Sequence, residues 1–65
     1  MHSNIKVRTI VNIIRVNNQY ESKIGHLERE CEYYKRNGDM ANFNLTKAQL
    51  DKTKSEHGEF LDFYI

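Results

Sequence analysis

Proline is missing from the sequence altogether, and cysteine occurs only once, at Cys31. Without proline, the residue that removes a backbone donor and clashes with the preceding turn, nothing forbids long uninterrupted helices. A lone Cys31 forms no internal disulfide, so the chain is not built on the cross-linked framework of a small secreted domain. A surplus of one charge is lacking too: ten basic residues stand against nine acidic, for a net charge of +1. That balance argues against a general polyanion binder, which carries a marked basic excess. Long apolar runs are also absent. The most apolar stretch, residues 5–16, is interrupted by Lys6, Arg8, Asn12 and Arg15 and is too short to span a bilayer. No secretory leader is legible, so the expected compartment is the cytoplasm and no membrane partner is expected.

What remains is one small domain covering residues 1–65. A chain of 65 residues has room for a single core and buries only about 60% of its unfolded surface, so it gains from a partner or a second copy.

The stretch Arg36-Asn37-Gly38-Asp39 organises the rest. Lys35 and Arg36 place positive charge where a helix ends, and Gly38 suits the left-handed closing position. Asp39 is then an N-cap for a second helix. The prediction is an all-α, antiparallel, coiled-coil-like two-helix hairpin. Helix one covers about residues 4–36, the turn 37–39 and helix two about 40–62.

Ser3 or Asn4 is the expected N-cap of helix one. Its first segment is rich in β-branched residues, which also suit a strand. Periodicity favours a helix: at 100° per residue Arg8, Asn12 and Arg15 share a narrow polar stripe, while Val7, Ile10, Val11, Ile13 and Ile14 cover most of the remaining arc. From Ile10 a heptad seam follows in alternating steps of three and four: Ile10, Ile13, Asn17, Tyr20, Ile24, Leu27, Cys31, Tyr34. Asn17 either fixes the register of the seam or sits at a wet edge. Gly25 lies inside the helix and marks a bend, a close approach by another helix, or neither, at a cost of about 1 kcal/mol relative to alanine.

A second seam runs Phe43, Thr46, Leu50, Thr53, His57, Phe60, Tyr64. Its members pair with the first as Tyr34 with Phe43, Cys31 with Thr46, Leu27 with Leu50, Ile24 with Thr53, Tyr20 with His57, Asn17 with Phe60 and Ile13 with Tyr64. Every pair is equidistant from a point between Gly38 and Asp39. Two features leave alternatives open. Thr46-x-x-Gln49 has capping-box spacing and offers a later start for helix two. Gly58 offers an earlier stop, which would turn residues 59–65 into an apolar tail; continuation through Gly58 is the expected course. Glu56, Glu59 and Asp62 near the end of helix two oppose their own helix dipole, as the basic residues of helix one oppose theirs. An antiparallel hairpin is expected to set the two clusters side by side, so that they offset each other.

Several apolar residues are left over. Val7, Val11 and Ile14 recur on one helix face outside the seam, Leu45 and Leu61 are not used by the seam either, and residues 4–12 overhang helix two by roughly 13 Å. Exposed, they form a patch unusual for a monomer. A homodimer burying one N-terminal segment against another, as a four-helix bundle, is the simplest remedy. The expected contact residues for a dimer or another protein are Val7, Val11, Ile14, Leu45, Phe60, Leu61, Phe63 and Tyr64.

Chemistry is scarce. Cys31 and His57 fall about 16 Å apart along the hairpin, so they form no dyad; Cys31 reads as a small apolar core residue and His57 as a hydrogen-bonded core histidine. His26 and Glu30 share a helix face, but the further ligands a metal needs are lacking. No glycine-rich phosphate loop, nucleophile elbow or zinc spacing occurs. No catalytic residue, metal, cofactor or small-molecule substrate is expected, and the chain does not read as an enzyme. It reads as a non-catalytic hairpin that self-associates and binds a partner protein, a format that would suit a small phage or bacterial inhibitor or regulator. The alternative is RNA or DNA binding. Lys6, Arg8 and Arg15 make a basic stripe on helix one, and Tyr33, Lys35 and Arg36 combine aromatic and positive side chains at the tip. In shape alone the expected arrangement is similar to the plasmid-encoded RNA-binding helical hairpin that dimerises into a four-helix bundle, a likeness that carries no function by itself.

Overall fold

A computed structural model describes the backbone of residues 2–64 and the side chains of residues 9–64. Within these limits the chain is all-helical. α1 is His2–Arg36 and α2 is Met40–Tyr64, and the two pack against each other as an antiparallel hairpin. Lys6, Val7 and Arg8, named above from their spacing, have side chains outside the described residues.

The reversal rests on one glycine and one aspartate. Gly38 adopts φ +69°, a conformation open to it because it lacks a Cβ. Its N–H donates to the Lys35 carbonyl at 3.2 Å, and the Asp39 N–H donates to the Tyr34 carbonyl at 2.9 Å. These are the paired bonds of a Schellman closure, and they satisfy carbonyls that the helix end would leave bare. Asn37 adds a third, its side-chain Nδ2 donating to the Tyr33 carbonyl at 2.8 Å. Asp39 then opens α2: Oδ1 accepts from the Asn42 backbone N–H at 3.2 Å and Oδ2 from Asn42 Nδ2 at 2.7 Å. With Asp39 capping, the later start at Thr46 does not occur, and Thr46 is buried in the seam. At the other end α1 begins at His2, which puts Ser3 and Asn4 inside the helix instead of at its cap. Each residue added to a formed helix contributes one more hydrogen bond.

Burial follows the alternating seam on both helices. Leu27, Cys31 and Leu50 form the core, with Ile24 and Phe43 packed against it. Thr46 and Thr53 are buried beside them. Thr53 turns its hydroxyl back to donate to the Gln49 carbonyl at 2.8 Å, leaving its methyl group for the apolar interface. Toward the open end the seam becomes aromatic and polar. Tyr20 and His57 stack with centroids 5.3 Å apart, and Phe60 tilts against Tyr20 at 5.7 Å. His57 Nε2–H donates to Asn17 Oδ1 at 2.7 Å, and Asn17 Nδ2 donates to Glu21 Oε1 at 3.4 Å. Asn17 is half-buried and bonded across the hairpin, the arrangement by which a polar seam residue penalises a shifted register.

α2 passes through Gly58 without a break. Packing of Phe60 and Tyr64 outweighs the low helix propensity of one glycine, as tertiary contacts commonly do. Gly25 marks no close approach by α2: a Cβ there would meet only Arg29 Nη1 of its own helix, at 3.5 Å. The expected offset of the basic start of α1 against Glu56, Glu59 and Asp62 involves Lys6 and Arg8, whose side chains lie outside the described residues. Every ion pair among the described residues joins neighbours on one helix, at His26–Glu30, Glu32–Arg36 and Lys47–Asp51. Arg15 and Asp62, level with each other by the register, both lie off the seam and exposed, so they form no direct bridge.

The hairpin is long and thin, 56 × 16 × 12 Å. Its radius of gyration of 15.9 Å exceeds the roughly 11 Å of a compact chain this long. The accessible surface is 5390 Å², about 1,000 Å² above the roughly 4,400 Å² typical of a compact monomer of its mass. Part of the excess lies where α1 outruns α2. Ile13 stands level with Tyr64, so residues 2–12 project about 16 Å past the end of α2. No helix among the described residues is long and apolar enough to cross a membrane.

Candidate functional site

The projecting end of the hairpin gathers apolar side chains that the seam does not consume. Ile10 belongs to the seam by spacing, yet it lies beyond the last turn of α2 and has nothing of that helix opposite it. It is 56% exposed, Val11, Ile14 and Tyr64 are each about half exposed, and Phe63 is 81% exposed. These are five of the eight large apolar side chains exposed among the described residues; the others, Tyr33, Met40 and Leu45, lie far from this end.

The register sorts the residues around this end. Ile14 and Leu61 fall on one flank of the seam, Val16 and Phe63 on the other. Leu61 and Phe60 are half-buried, so the hairpin itself uses part of their surface. Thr9, Asn12, Ile13, Val16, Phe60 and Tyr64 line a cavity of about 200 Å³ between the helices. Phe60, Tyr64 and Phe63 continue the aromatic contact outward, with centroids 4.9 and 4.7 Å apart. On its outer side α1 offers a shallow trough lined by Val11, Ile14, Arg15, Asn18, Gln19 and Ser22. Arg15 is the only charged side chain from position 9 to position 20.

Of the contact residues expected from spacing, Val11, Ile14, Phe60, Leu61, Phe63 and Tyr64 lie at the same end of the hairpin, with Ile14 and Leu61 on one flank and Phe63 on the other. The structure leaves out Leu45, which lies level with Glu32, about 30 Å from Val11 along the hairpin, and which is 65% exposed by itself. Sequence reasoning passed over Ile10 as a surface residue, although the length of α2 carried the signal. It also missed that Asn17 and His57 bond to each other, a pair one turn out of strict level.

The tip presents a different surface. Tyr33 is exposed and meets Tyr34 edge-on at 5.5 Å. Arg36 is held by Glu32, Nη2 to Oε1 at 2.6 Å, and Lys35 shares a trough with Glu28, Glu32 and Lys47. Acidic side chains thus intermix with the basic ones expected to face a phosphate backbone. Arg15 of the helix-one stripe is exposed, and so is Lys23 further along α1.

Elsewhere Cys31 is free and buried, packed with Leu27 and Leu50, while His57 is held at Tyr20 and Asn17. His26 Nε2 and Glu30 Oε1 lie 2.8 Å apart on the surface. No group of three or more His, Cys, Asp or Glu side chains suited to a metal ion occurs among the described residues. The chain matches no protein-family profile, no curated protein and no solved structure.

Proposed function

We propose that this chain is a non-catalytic binding module: a helical hairpin that self-associates and docks a partner protein through its projecting end. The observation that carries this reading is the concentration of Ile10, Val11, Ile14, Phe63 and Tyr64, all exposed, at one end of the molecule. Scattered apolar residues are ordinary on a protein surface, whereas a concentration of them on both flanks of one end supports an association surface there. A two-fold dimer bringing four helices into one assembly would cover it, and the aromatic edge of α2 would remain beside that contact for a second protein. Aromatic side chains such as Phe63 and Tyr64 are the type that carries binding energy at protein interfaces.

Affinity capture with the tagged chain, with and without nuclease, tests the reading. A protein recovered regardless of nuclease by the wild-type chain, and lost with Val11→Asp, is the expected result. Recovery that vanishes on nuclease treatment favours nucleic-acid binding by the basic stripe, and binding that weakens steeply with salt would agree with it. A Val11→Asp chain that still self-associates and still captures its protein removes this end from consideration.

A further inference from the structure

We infer that the trough on the outer side of α1 is filled by the projecting end of a second copy, in an antiparallel two-fold contact centred near Val11 and Asn12. The inference rests on the reading above that this end is an association surface, and it specifies the occupant and its offset.

Lengths supply the first argument. The projecting segment is residues 2–12, and the trough, whose lining carries one charge, Arg15, runs from Val11 to Ser22. The two are nearly equal, and they adjoin on the same helix. A two-fold contact is isologous, so a helix whose free end adjoins a trough of matching length satisfies itself when turned end for end. Laying residues 2–12 of one copy along the trough of the other puts the axis midway, between Val11 and Asn12. Each hairpin then receives the other's projection as a third helix beside its own α1 and α2. The tips at Gly38 point away from each other.

Area and charge supply two more. The chain exposes about 1,000 Å² more than a compact monomer of its mass, and a stable interface removes about 800 Å² from each partner. One such contact therefore accounts for most of the excess. The lining is also low in charge: Val11, Ile14, Asn18, Gln19 and Ser22 are uncharged and Arg15 alone is ionised, while the exposed side of α2 carries Asp51, Lys52, Lys54, Glu59 and Asp62. The first twenty residues hold Lys6, Arg8 and Arg15 and no acid. Two copies brought together there repel weakly, and dissolved salt screens that repulsion. Dimerisation should thus tighten as sodium chloride rises, the opposite of nucleic-acid binding.

Sedimentation equilibrium of the full chain measures the mass and its salt dependence. A monomer–dimer equilibrium that tightens with salt is expected, and Val11→Lys should weaken it roughly 100-fold or more, since each contact would enclose two further ammonium groups in a segment that holds Arg8 and Arg15 and no acid to pair them. Leu45→Asp, about 30 Å from the axis, should leave it unchanged. Oxidation of single-cysteine chains in a Cys31→Ala background, each first shown to keep its helical circular dichroism, locates the axis: Val11→Cys should cross-link to its own copy, and Leu45→Cys should not. A wild-type chain that stays monomeric, a dimer that loosens with salt, or a dimer cross-linked at Leu45→Cys and not at Val11→Cys overturns the inference. A monomer that nevertheless captures another protein through Val11 overturns this inference alone and leaves the binding reading standing.

Discussion

Leu50→Ala is the most informative single change to the hairpin itself. Leu50 is 5% exposed and packs with Leu27 and Cys31 at the centre of the seam. Truncation removes most of an aliphatic side chain from an apolar site and leaves a cavity between two helices that share only this core. Transfer and cavity contributions together come to about 3 kcal/mol. Against this stands the stability of the whole chain, at ~0.05–0.15 kcal/mol per residue, or roughly 3–10 kcal/mol for 65 residues. A hairpin in which no described side chain is wholly enclosed belongs at the low end. The substitution should therefore leave little folded monomer in dilute solution. Urea titration followed by helical circular dichroism measures it: with a slope of about 1 kcal/mol/M for so small a chain, the midpoint should fall by about 3 M. Leu45→Ala, on an exposed position, should shift stability by no more than about 0.5 kcal/mol. A Leu50→Ala loss below about 1 kcal/mol would show that burial at this position does not hold the helices together.

Three further outcomes can be checked in the same assay. Gly38→Ala should cost about 1 kcal/mol because φ +69° disfavours a Cβ, whereas Gly58→Ala, with open space around the site, should add about 0.5–1 kcal/mol through helix propensity; matching signs for the two would refute the account of the turn. Asp39→Ala removes the cap on Asn42 and should cost about 1 kcal/mol, with Asp39→Ser restoring most of it. Asn17→Ala deprives His57 of its partner and should cost about 1 kcal/mol; an unchanged midpoint would mean that water replaces the bond without loss.

The fold was legible because local and long-range signals agreed. Gly38 and Asp39 mark the turn by their own chemistry, and the two seams pair about the same point without knowledge of any contact, so Leu27, Cys31 and Leu50 could be named as core from spacing alone. Helix boundaries were harder to read. Ser3 and Asn4 are good caps in isolation, and Gly58 a good stop, but neither property outweighs continuation of a formed helix backed by Phe60 and Tyr64. The candidate site was legible in part. Val11, Ile14 and Phe63 stand outside the seam and so announce themselves as surplus. Ile10 obeys the heptad rule, and its exposure follows from where its neighbour helix stops, a fact about length and not about residue type. Leu45 illustrates the converse: it satisfies the same composition rule as Val11, yet the hairpin carries it to a remote level, where it is 65% exposed. Charge was the least legible, since opposite signs placed level by the register can still project from opposite sides of a slender rod.

The Schellman turn fixes the order in which the molecule comes apart. Tyr34 and Phe43 face each other across nine residues, Ile13 and Tyr64 across fifty-one, so contacts near Gly38 re-form readily after opening and those at the far end do so last. Amide exchange should accordingly be slowest around Leu27 and Leu50 and grow faster with distance from the tip. Whatever grips Val11 and Phe63 thus acts as a clasp on a zipper, holding shut the end that would otherwise part first and lengthening the life of the whole.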